Sequence, residues 1–135
     1  MKKIISLCLV ILFSLFLLPV CANGEMLSPR YNYIMNIGED FSINESTGKA
    51  DVDADLVLET GAHCLITAEV KKEVNSRWEP FATFRKSGSK IAIMGESINL
   101  TQGYRYKCVF TFTAYDENYF VIEQEVITSA IIDYR

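Results

Sequence analysis

The feature that most constrains this chain is a period-two alternation of apolar and polar residues. In residues 104–114 every even position is tyrosine, cysteine, phenylalanine or alanine, and the intervening residues are polar except for Val109. Residues 50–56 alternate in the same way, with aspartate at every odd position. Because successive side chains of a strand point to opposite faces of a sheet, this pattern predicts half-buried β-strands. No stretch of residues 25–135 has apolar residues at helical spacing, so we expect an all-β domain.

Turn-forming residues separate the alternating runs. Gly48, Gly61 and Gly88, each beside serine or threonine, and Asp116 fall where runs end. Seven short strands at this spacing predict an antiparallel β-sandwich of the immunoglobulin/fibronectin-III-like class, with a small barrel as the alternative fold. The predicted strands cover residues 31–43, 49–58, 63–74, 78–86, 90–99, 104–115 and 119–132.

Four residues match part of the immunoglobulin pattern. Cys64, Trp78 and Cys108 follow the order cysteine, tryptophan, cysteine. Tyr106 stands two residues before the second cysteine, at the offset of the tyrosine corner. However, Cys64 falls on the third predicted strand, whereas the immunoglobulin disulfide uses the second. The match therefore supports the class of sandwich and not membership of the antibody family.

Residues 1–22 differ in composition from the rest of the chain. A short basic start is followed by an apolar run, and small residues precede the end of the segment at Ala22. This order is typical of a secretory signal peptide cleaved after Ala22, with an uncleaved N-terminal anchor or a lipoprotein modified at Cys21 as alternatives. We therefore expect one secreted, extracellular β-sandwich domain at residues 23–135, without a membrane span in the mature chain.

The expected mature domain is acidic. Without Lys2 and Lys3, 11 basic side chains stand against 17 acidic ones. Nucleic-acid binding needs a basic surface that displaces counterions, so the composition excludes a generic nucleic-acid-binding protein.

The two cysteines of this domain are predicted to form a disulfide. Cys64 and Cys108 both lie on the apolar phase of their strands, and an even number of cysteines in an oxidising compartment usually pairs. The alternative is two buried free thiols that pack as small apolar side chains.

Catalytic chemistry is not indicated. His63 is the only histidine, and adjacent residues of a strand point to opposite faces, so His63 and Cys64 do not form a base and nucleophile pair. We expect His63 to be a solvent-facing or turn residue. We expect no catalytic residues, no cofactor, no metal site and no enzymatic activity. Asp51, Asp53 and Asp55 would offer oxygens to Ca²⁺ if loops added ligands, but the simpler expectation is a solvated face beside lysines of the next strand.

Tyrosines near turns supply the candidate binding surface. Tyr115 and Tyr119 flank a predicted hairpin turn, and exposed tyrosine offers contact area to proteins and a stacking surface to sugar rings. The sequence therefore favours a non-enzymatic binding protein whose partner is an extracellular or cell-surface glycan or protein. The alternative is a structural or protective envelope-associated factor that recognises a peptide by edge-strand addition along residues 118–132.

Several short motifs resemble a known family. They are Arg30-Tyr31-Asn32-Tyr33-Ile34, Gly48-Lys49-Ala50, Glu69-Val70-Lys71-Lys72, Ser76-Arg77-Trp78 and Gly103-Tyr104-Arg105-Tyr106-Lys107. With these motifs, residues 30–134 resemble small secreted single-domain β-rich proteins of Gram-positive, Clostridia-type bacteria, a family of uncharacterised function. The resemblance implies a signal peptide and one β-rich domain, and it supplies no catalytic residues. The aspartates of residues 51–55 depart from the serine- and threonine-rich strand of that family.

Overall fold

The structure, a computed structural model, describes residues 32–135. The predicted signal peptide at residues 1–22, with its lipoprotein alternative at Cys21, lies outside the described residues, as does Tyr31 at the start of the first predicted strand. The described residues form antiparallel β-strands, and no helix occurs among them. The strands are β1 (Ile34–Asn44), β2 (Lys49–Leu58), β3 (His63–Val74), β4 (Arg77–Gly88), β5 (Ile91–Asn99), β6 (Tyr104–Tyr115), β7 (Val121–Thr128) and β8 (Ile132–Tyr134).

The all-β, antiparallel prediction is confirmed, and most strand bounds differ from the predicted ones by only a few residues. The exception is the run at residues 119–132, for which the sequence predicts one strand and the structure has β7 and β8. Ser129 separates them, because its hydroxyl accepts a hydrogen bond from the Cys108 N–H at 2.9 Å. A side chain that takes the place of a backbone partner interrupts the ladder, and the strand ends there.

The strands form two sheets. The three-stranded sheet has the order β1-β2-β5. The five-stranded sheet has the order β4-β3-β6-β7, with β8 also paired to β6. The register shifts within the β1–β2, β3–β4 and β6–β7 pairs, whereas the β2–β5 pair is continuous from Lys49 to Val57.

The inward residues of both sheets form one hydrophobic cluster. Val52 and Leu56 from β2 pack in it with Ile66 from β3 and with Phe110 and Phe112 from β6, and all five side chains are fully buried. Each contributes about 1.5–3 kcal/mol to the free energy of unfolding through burial. The alternating runs of the sequence therefore place their apolar phase in the core, as the period predicts.

Tyr106 fixes the turn between β5 and β6. Its ring is buried, and its hydroxyl donates a hydrogen bond to the carbonyl oxygen of Thr101 at 2.8 Å. The same hydroxyl accepts a hydrogen bond from the Thr101 N–H at 3.0 Å. A tyrosine corner makes this kind of contact, from a hydroxyl to the backbone a few residues upstream.

Trp78 does not take the core position that the immunoglobulin pattern gives its tryptophan. It lies on β4, at the edge of the five-stranded sheet and directly opposite Glu73. The Nζ atom of Lys107 lies 4.5 Å from the centroid of its ring, a cation–π contact on the outer face of the sheet. The cysteine, tryptophan, cysteine order of the sequence therefore does not correspond to a core cluster.

The first described residues are tied to β7. The carboxylate of Glu123 accepts hydrogen bonds from the N–H groups of Asn32 at 3.1 Å, Tyr33 at 2.7 Å and Ile34 at 3.0 Å. Hydrogen bonds to a charged acceptor are stronger than neutral ones. Glu123 therefore fixes the start of β1 against an edge strand of the other sheet.

Candidate functional site

Three loops meet at one end of the two sheets. His63, the first residue of β3, lies directly opposite Tyr115, the last residue of β6. Cys64 lies opposite Gly88, where β4 ends. The β2–β3, β4–β5 and β6–β7 connections therefore leave the sheets at the same end. The pocket at this end, which we call the loop-end pocket, has a volume of about 490 Å³ and is lined by His63, Cys64, Leu65, Ser87, Gly88, Ser89, Tyr115 and Tyr119.

Tyr119 is held in an unusual backbone conformation. Its φ angle is 63°, in the left-handed region that residues other than glycine rarely adopt. Asp116 stabilises this turn, because its Oδ1 atom accepts hydrogen bonds from the N–H groups of Asn118 at 2.8 Å and Phe120 at 2.9 Å. The Tyr119 N–H donates to the Asp116 carbonyl oxygen at 3.1 Å. A residue in this strained conformation therefore presents its ring to the pocket, and backbone strain of this kind recurs at ligand-binding sites.

The Tyr119 ring stacks on His63. The two ring centroids are 4.1 Å apart and the ring planes differ by 4°. Tyr119 nevertheless remains 67% exposed, so one face of its ring is covered by the imidazole while the rest of the ring is accessible. The sequence singled out Tyr119 as a binding candidate, but it indicated for His63 only a solvent-facing or turn position. The one available signal was that His63 begins a strand next to a turn, where loops from other strands converge.

Tyr115 and the β4–β5 turn complete the pocket. The ring of Tyr115 lies 6.3 Å from that of Tyr119, so the structure brings the two predicted tyrosines together. On β4, Gly88 allows the backbone to pass close to Ile91, since a Cβ atom at residue 88 would lie 1.8 Å from the Ile91 carbonyl oxygen. The hydroxyl-bearing residues Ser87 and Ser89 flank this glycine. The sequence marked these two residues only as part of a turn.

The lining of the loop-end pocket offers groups suited to contacts with a ligand. Stacked aromatic rings offer a flat surface, and hydroxyl groups offer hydrogen bonds in both directions. None of the residues that line the pocket carries a carboxylate, and Asp116, on the adjacent loop, is engaged in holding that loop. Cys64 lies on the opposite side of the strand from His63, with its side chain buried, as the alternation of β3 predicts.

The predicted disulfide between Cys64 and Cys108 is not formed, and both thiols are free and buried. The two residues lie on neighbouring strands, but Cys64 is paired with Ala114 and Cys108 with Val70. This register separates them by six residues along the strands, about 20 Å at the usual rise per residue. A disulfide requires Cα atoms within about 7 Å, so the alternative of two thiols packed as small apolar groups describes the structure.

Burial also suppresses the reactivity of these thiols. It raises the pKa of the Cys108 thiol to about 12, and the carboxylates of Glu39 and Glu69 add to the rise. Burial raises the pKa of the Cys64 thiol as well, and the Cys64 Sγ–H donates a hydrogen bond to the Gly88 carbonyl oxygen at 3.5 Å. Because the thiolate is the nucleophilic form, neither cysteine is activated.

The three aspartates of β2 lie on the outer face of the three-stranded sheet, away from the pocket. The expected lysines are not beside them, because Asp51 lies between Ser42 and Ser97, and Asp53 lies between Asp40 and Gly95. Within residues 32–135, no group of three or more histidine, cysteine, aspartate or glutamate residues is placed to hold a metal ion. The face is a solvated acidic surface without the predicted basic neighbours.

Comparisons of the chain with family models, with curated proteins and with solved structures find no match. Among the described residues, no helix has the length and apolar character needed to cross a membrane.

Proposed function

We propose that this protein is a secreted, non-enzymatic β-sandwich of the immunoglobulin/fibronectin-III-like class, which binds an extracellular glycan or protein through the loop-end pocket. The observation that carries the proposal is the exposed ring of Tyr119, stacked on His63 and held by Asp116 in a left-handed turn. A rigid, exposed aromatic ring costs little conformational entropy when it binds a ligand.

The strand order supports the class of fold. If β1 to β7 correspond to strands A, B, C, C′, E, F and G, the two sheets have the orders ABE and C′CFG. Immunoglobulin-type sandwiches likewise group the A, B and E strands on one sheet and C, F and G on the other. The Tyr106 hydroxyl bond lies at the E–F corner, where the tyrosine corner belongs. In this assignment the third strand is C, so Cys64 has no counterpart in the B–F disulfide.

Under the same assignment, the pocket would lie at the end of the sandwich where antibody variable domains contact antigen. The β2–β3, β4–β5 and β6–β7 connections correspond to loops B–C, C′–E and F–G. In antibody variable domains the B–C and F–G loops lie at the end that contacts antigen. The correspondence with variable domains is one of architecture alone, and the kind of ligand follows from the pocket residues.

The pocket residues favour a sugar over an apolar ligand. The accessible face of Tyr119 would stack on the C–H face of a pyranose ring, and the residues Tyr115, Ser87 and Ser89 would hydrogen-bond its hydroxyls. A volume of about 490 Å³ accommodates one or two sugar rings. Phe120 and Val121, exposed beside Tyr119, would extend the contact area if the ligand were a glycoprotein.

The partner is proposed to lie outside the cell, because the leader predicted at residues 1–22 would direct the chain to secretion. The resemblance to secreted proteins of Clostridia-type bacteria agrees with this location and remains a prediction.

The experiment that tests the proposal is a glycan array probed with the fluorescently labelled mature protein and with its Tyr119→Ala variant. We expect a restricted set of glycans to bind the wild-type chain and to lose most of their signal with the variant. Equal signals for both proteins on every bound glycan would contradict a role for the loop-end pocket.

The alternative role, peptide recognition by edge-strand addition, has less support at residues 118–132. β7 does lie at the end of its sheet order, but it is only eight residues long and its register shifts near Tyr115. Glu123 and Glu125 lie on its inward phase, opposite Ala114 and Phe112. Inward charges and bulges are devices that keep an edge from pairing with another strand.

A further inference from the structure

We propose a second binding site, at the free edge of β5, which takes an extended basic peptide segment of a partner protein as a fourth strand of the three-stranded sheet. The site is independent of the loop-end pocket. It is supported by the set of free backbone groups of β5, the exposed side chains of Ile91 and Ile93, and the aspartates on the outer face of the neighbouring strand β2.

Hydrogen bonds at the two ends of the β2–β5 pair define which backbone groups are free. The Leu58 N–H donates to the Lys90 carbonyl oxygen at 2.8 Å, and the Leu100 N–H donates to the Gly48 carbonyl oxygen at 2.8 Å. Because bonded pairs alternate along an antiparallel ladder, the even residues of β5 bond to β2. The odd residues, from Ile93 to Asn99, direct their N–H and C=O groups to the side of β5 that no described strand covers.

The other edge strands, β1, β4, β7 and β8, are less suited to pairing, and β8 has only three residues. β4 contains Pro80 and four charged residues, and its register with β3 shifts. β1 has a register shift near Met35 and carries Glu39 and Asp40, while β7 has its own shift and two glutamates. β5 pairs with β2 without a shift, contains no proline and has Glu96 as its one charged residue. A regular, apolar edge is the kind that accepts an added strand.

The outward side chains of β5 define what an added strand meets. Ile91 and Ile93 are 55% and 65% exposed, and they would pair with apolar residues of the added strand. Gly95 lies opposite Asp53, and a Cβ atom at Gly95 would be 3.5 Å from the Asp53 Oδ1 atom. With no side chain in between, a lysine or arginine on the added strand, about 10 Å from Asp53, would reach its carboxylate across the glycine.

The charges on the two sheets indicate what kind of segment would pair with the edge of β5. The strands of the three-stranded sheet carry six acidic residues and one basic residue, Lys49, whereas those of the five-stranded sheet carry six acidic and seven basic residues. A second copy that paired β5 with β5 would bring two acidic faces together, which like-charge repulsion disfavours. A basic strand would match both Glu96 on the inner phase and Asp53 on the outer phase. We therefore assign the site to a partner segment that carries lysine or arginine at the two adjacent positions facing Gly95 and Glu96, with apolar or β-branched residues at the other positions.

The test is a binding titration, at low ionic strength, of a seven-residue peptide blocked at both ends. The peptide has lysine at the two positions that face Glu96 and Gly95, and threonine or valine elsewhere. A matched peptide replaces both lysines with glutamate. We expect the wild-type chain to bind the lysine peptide at least tenfold more tightly than the glutamate peptide. Asp53→Asn should reduce this ratio by about threefold, and Gly95→Val, which fills the gap above Asp53, should reduce it as well.

Two further variants test the edge itself. Ile93→Pro removes an N–H that points to the free side and no ladder bond to β2, so it should abolish binding while the chain stays folded by circular dichroism. Ile93→Lys leaves that N–H in place and should weaken binding of the lysine peptide by repulsion. Tyr119→Ala should bind the peptide like the wild type, so failure of this site is distinguishable from failure of the loop-end pocket.

Three results would overturn the proposal. The first is a wild-type chain that binds neither peptide, and the second is a folded Ile93→Pro variant that binds as well as the wild type. The third is a wild-type dimer in sedimentation analysis that Ile93→Pro dissociates, because the occupant of the edge would then be a second copy of the chain.

Discussion

The ring of Tyr119 lies flat against the ring of His63, with centroids 4.1 Å apart. This contact joins the β6–β7 loop to the start of β3, two segments more than 50 residues apart in the sequence. Asp116 holds the same loop through hydrogen bonds to Asn118 and Phe120. A binding surface that is ordered before its ligand arrives loses less entropy on binding.

Replacing Tyr119 with alanine should weaken glycan binding by about tenfold, equivalent to about 1.4 kcal/mol. The variant loses the stacking surface and leaves His63 without its partner. Phe120→Ala is the matched control, since Phe120 is equally exposed on the same loop but does not line the pocket. Titration calorimetry measures both. Equal losses for the two variants would mean that general apolar contact, and not stacking, drives binding.

Tyr106→Phe should lower the free energy of unfolding by about 1–2 kcal/mol, because it removes the hydroxyl that bonds to both backbone groups of Thr101. Tyr104→Phe is the control, since its half-buried ring faces Lys72 and its hydroxyl makes no such corner contact. Urea unfolding gives both values. A loss below 0.5 kcal/mol for Tyr106→Phe, on the order of an ordinary surface change, would contradict the assigned role.

Glu123→Gln should lower the free energy of unfolding by about 1–2 kcal/mol, because an amide has one acceptor oxygen in place of two and no charge. The affected groups are the N–H groups of residues 32–34, so their hydrogen exchange should accelerate more than that of the β3 amides. Glu125→Gln changes the same charge on the same strand without touching the start of β1. Equal effects of the two changes would show that charge alone matters.

The buried Cys108 thiol should make the free energy of unfolding decrease as the pH rises. Its pKa is raised by burial to about 12 in the folded chain, above the ordinary thiol value. Between about pH 9 and 12 the unfolded chain loses this proton while the folded chain retains it, so the free energy of unfolding decreases. Cys108→Ala should show a shallower decrease over that range in denaturant titrations. Identical slopes for the two proteins would contradict a buried, protonated thiol.

Asp53→Asn should raise the free energy of unfolding by about 0.5 kcal/mol, because Asp53 lies directly opposite Asp40 and like charges in that position repel. The gain should shrink in high salt, which screens exposed charges. Asp51→Asn is the control, since Asp51 faces Ser42 on the same strand pair. Thermal unfolding at low and high salt measures both variants. A gain for Asp51→Asn as large as for Asp53→Asn would show that net charge is responsible.

The strands could be predicted because each is half-buried, so the sequence of β2 or β6 records which face is inside. The register between strands distant in the sequence leaves no such record. For this reason the pairing of Cys108 with Val70, and with it the absence of a disulfide, was not predictable. The break at Ser129 depends on a hydrogen bond to a strand 21 residues away.

The candidate site also has a part that the sequence predicts and a part that it does not. Tyr115 and Tyr119 could be selected because aromatic residues beside a turn are exposed to solvent often enough to be candidates. The stack on His63 depends on a left-handed residue in a loop and on the alignment of β3 with β6, and neither has a sequence period.

The most direct test of the account is an amide chemical-shift titration of the isotope-labelled mature protein with the strongest glycan from the array. We predict that the largest changes fall on residues 63–65, 87–89 and 115–120, which line or support the loop-end pocket. Changes confined to the outer faces or edges of the sheets, with the amides of Tyr119 and His63 unmoved, would contradict it.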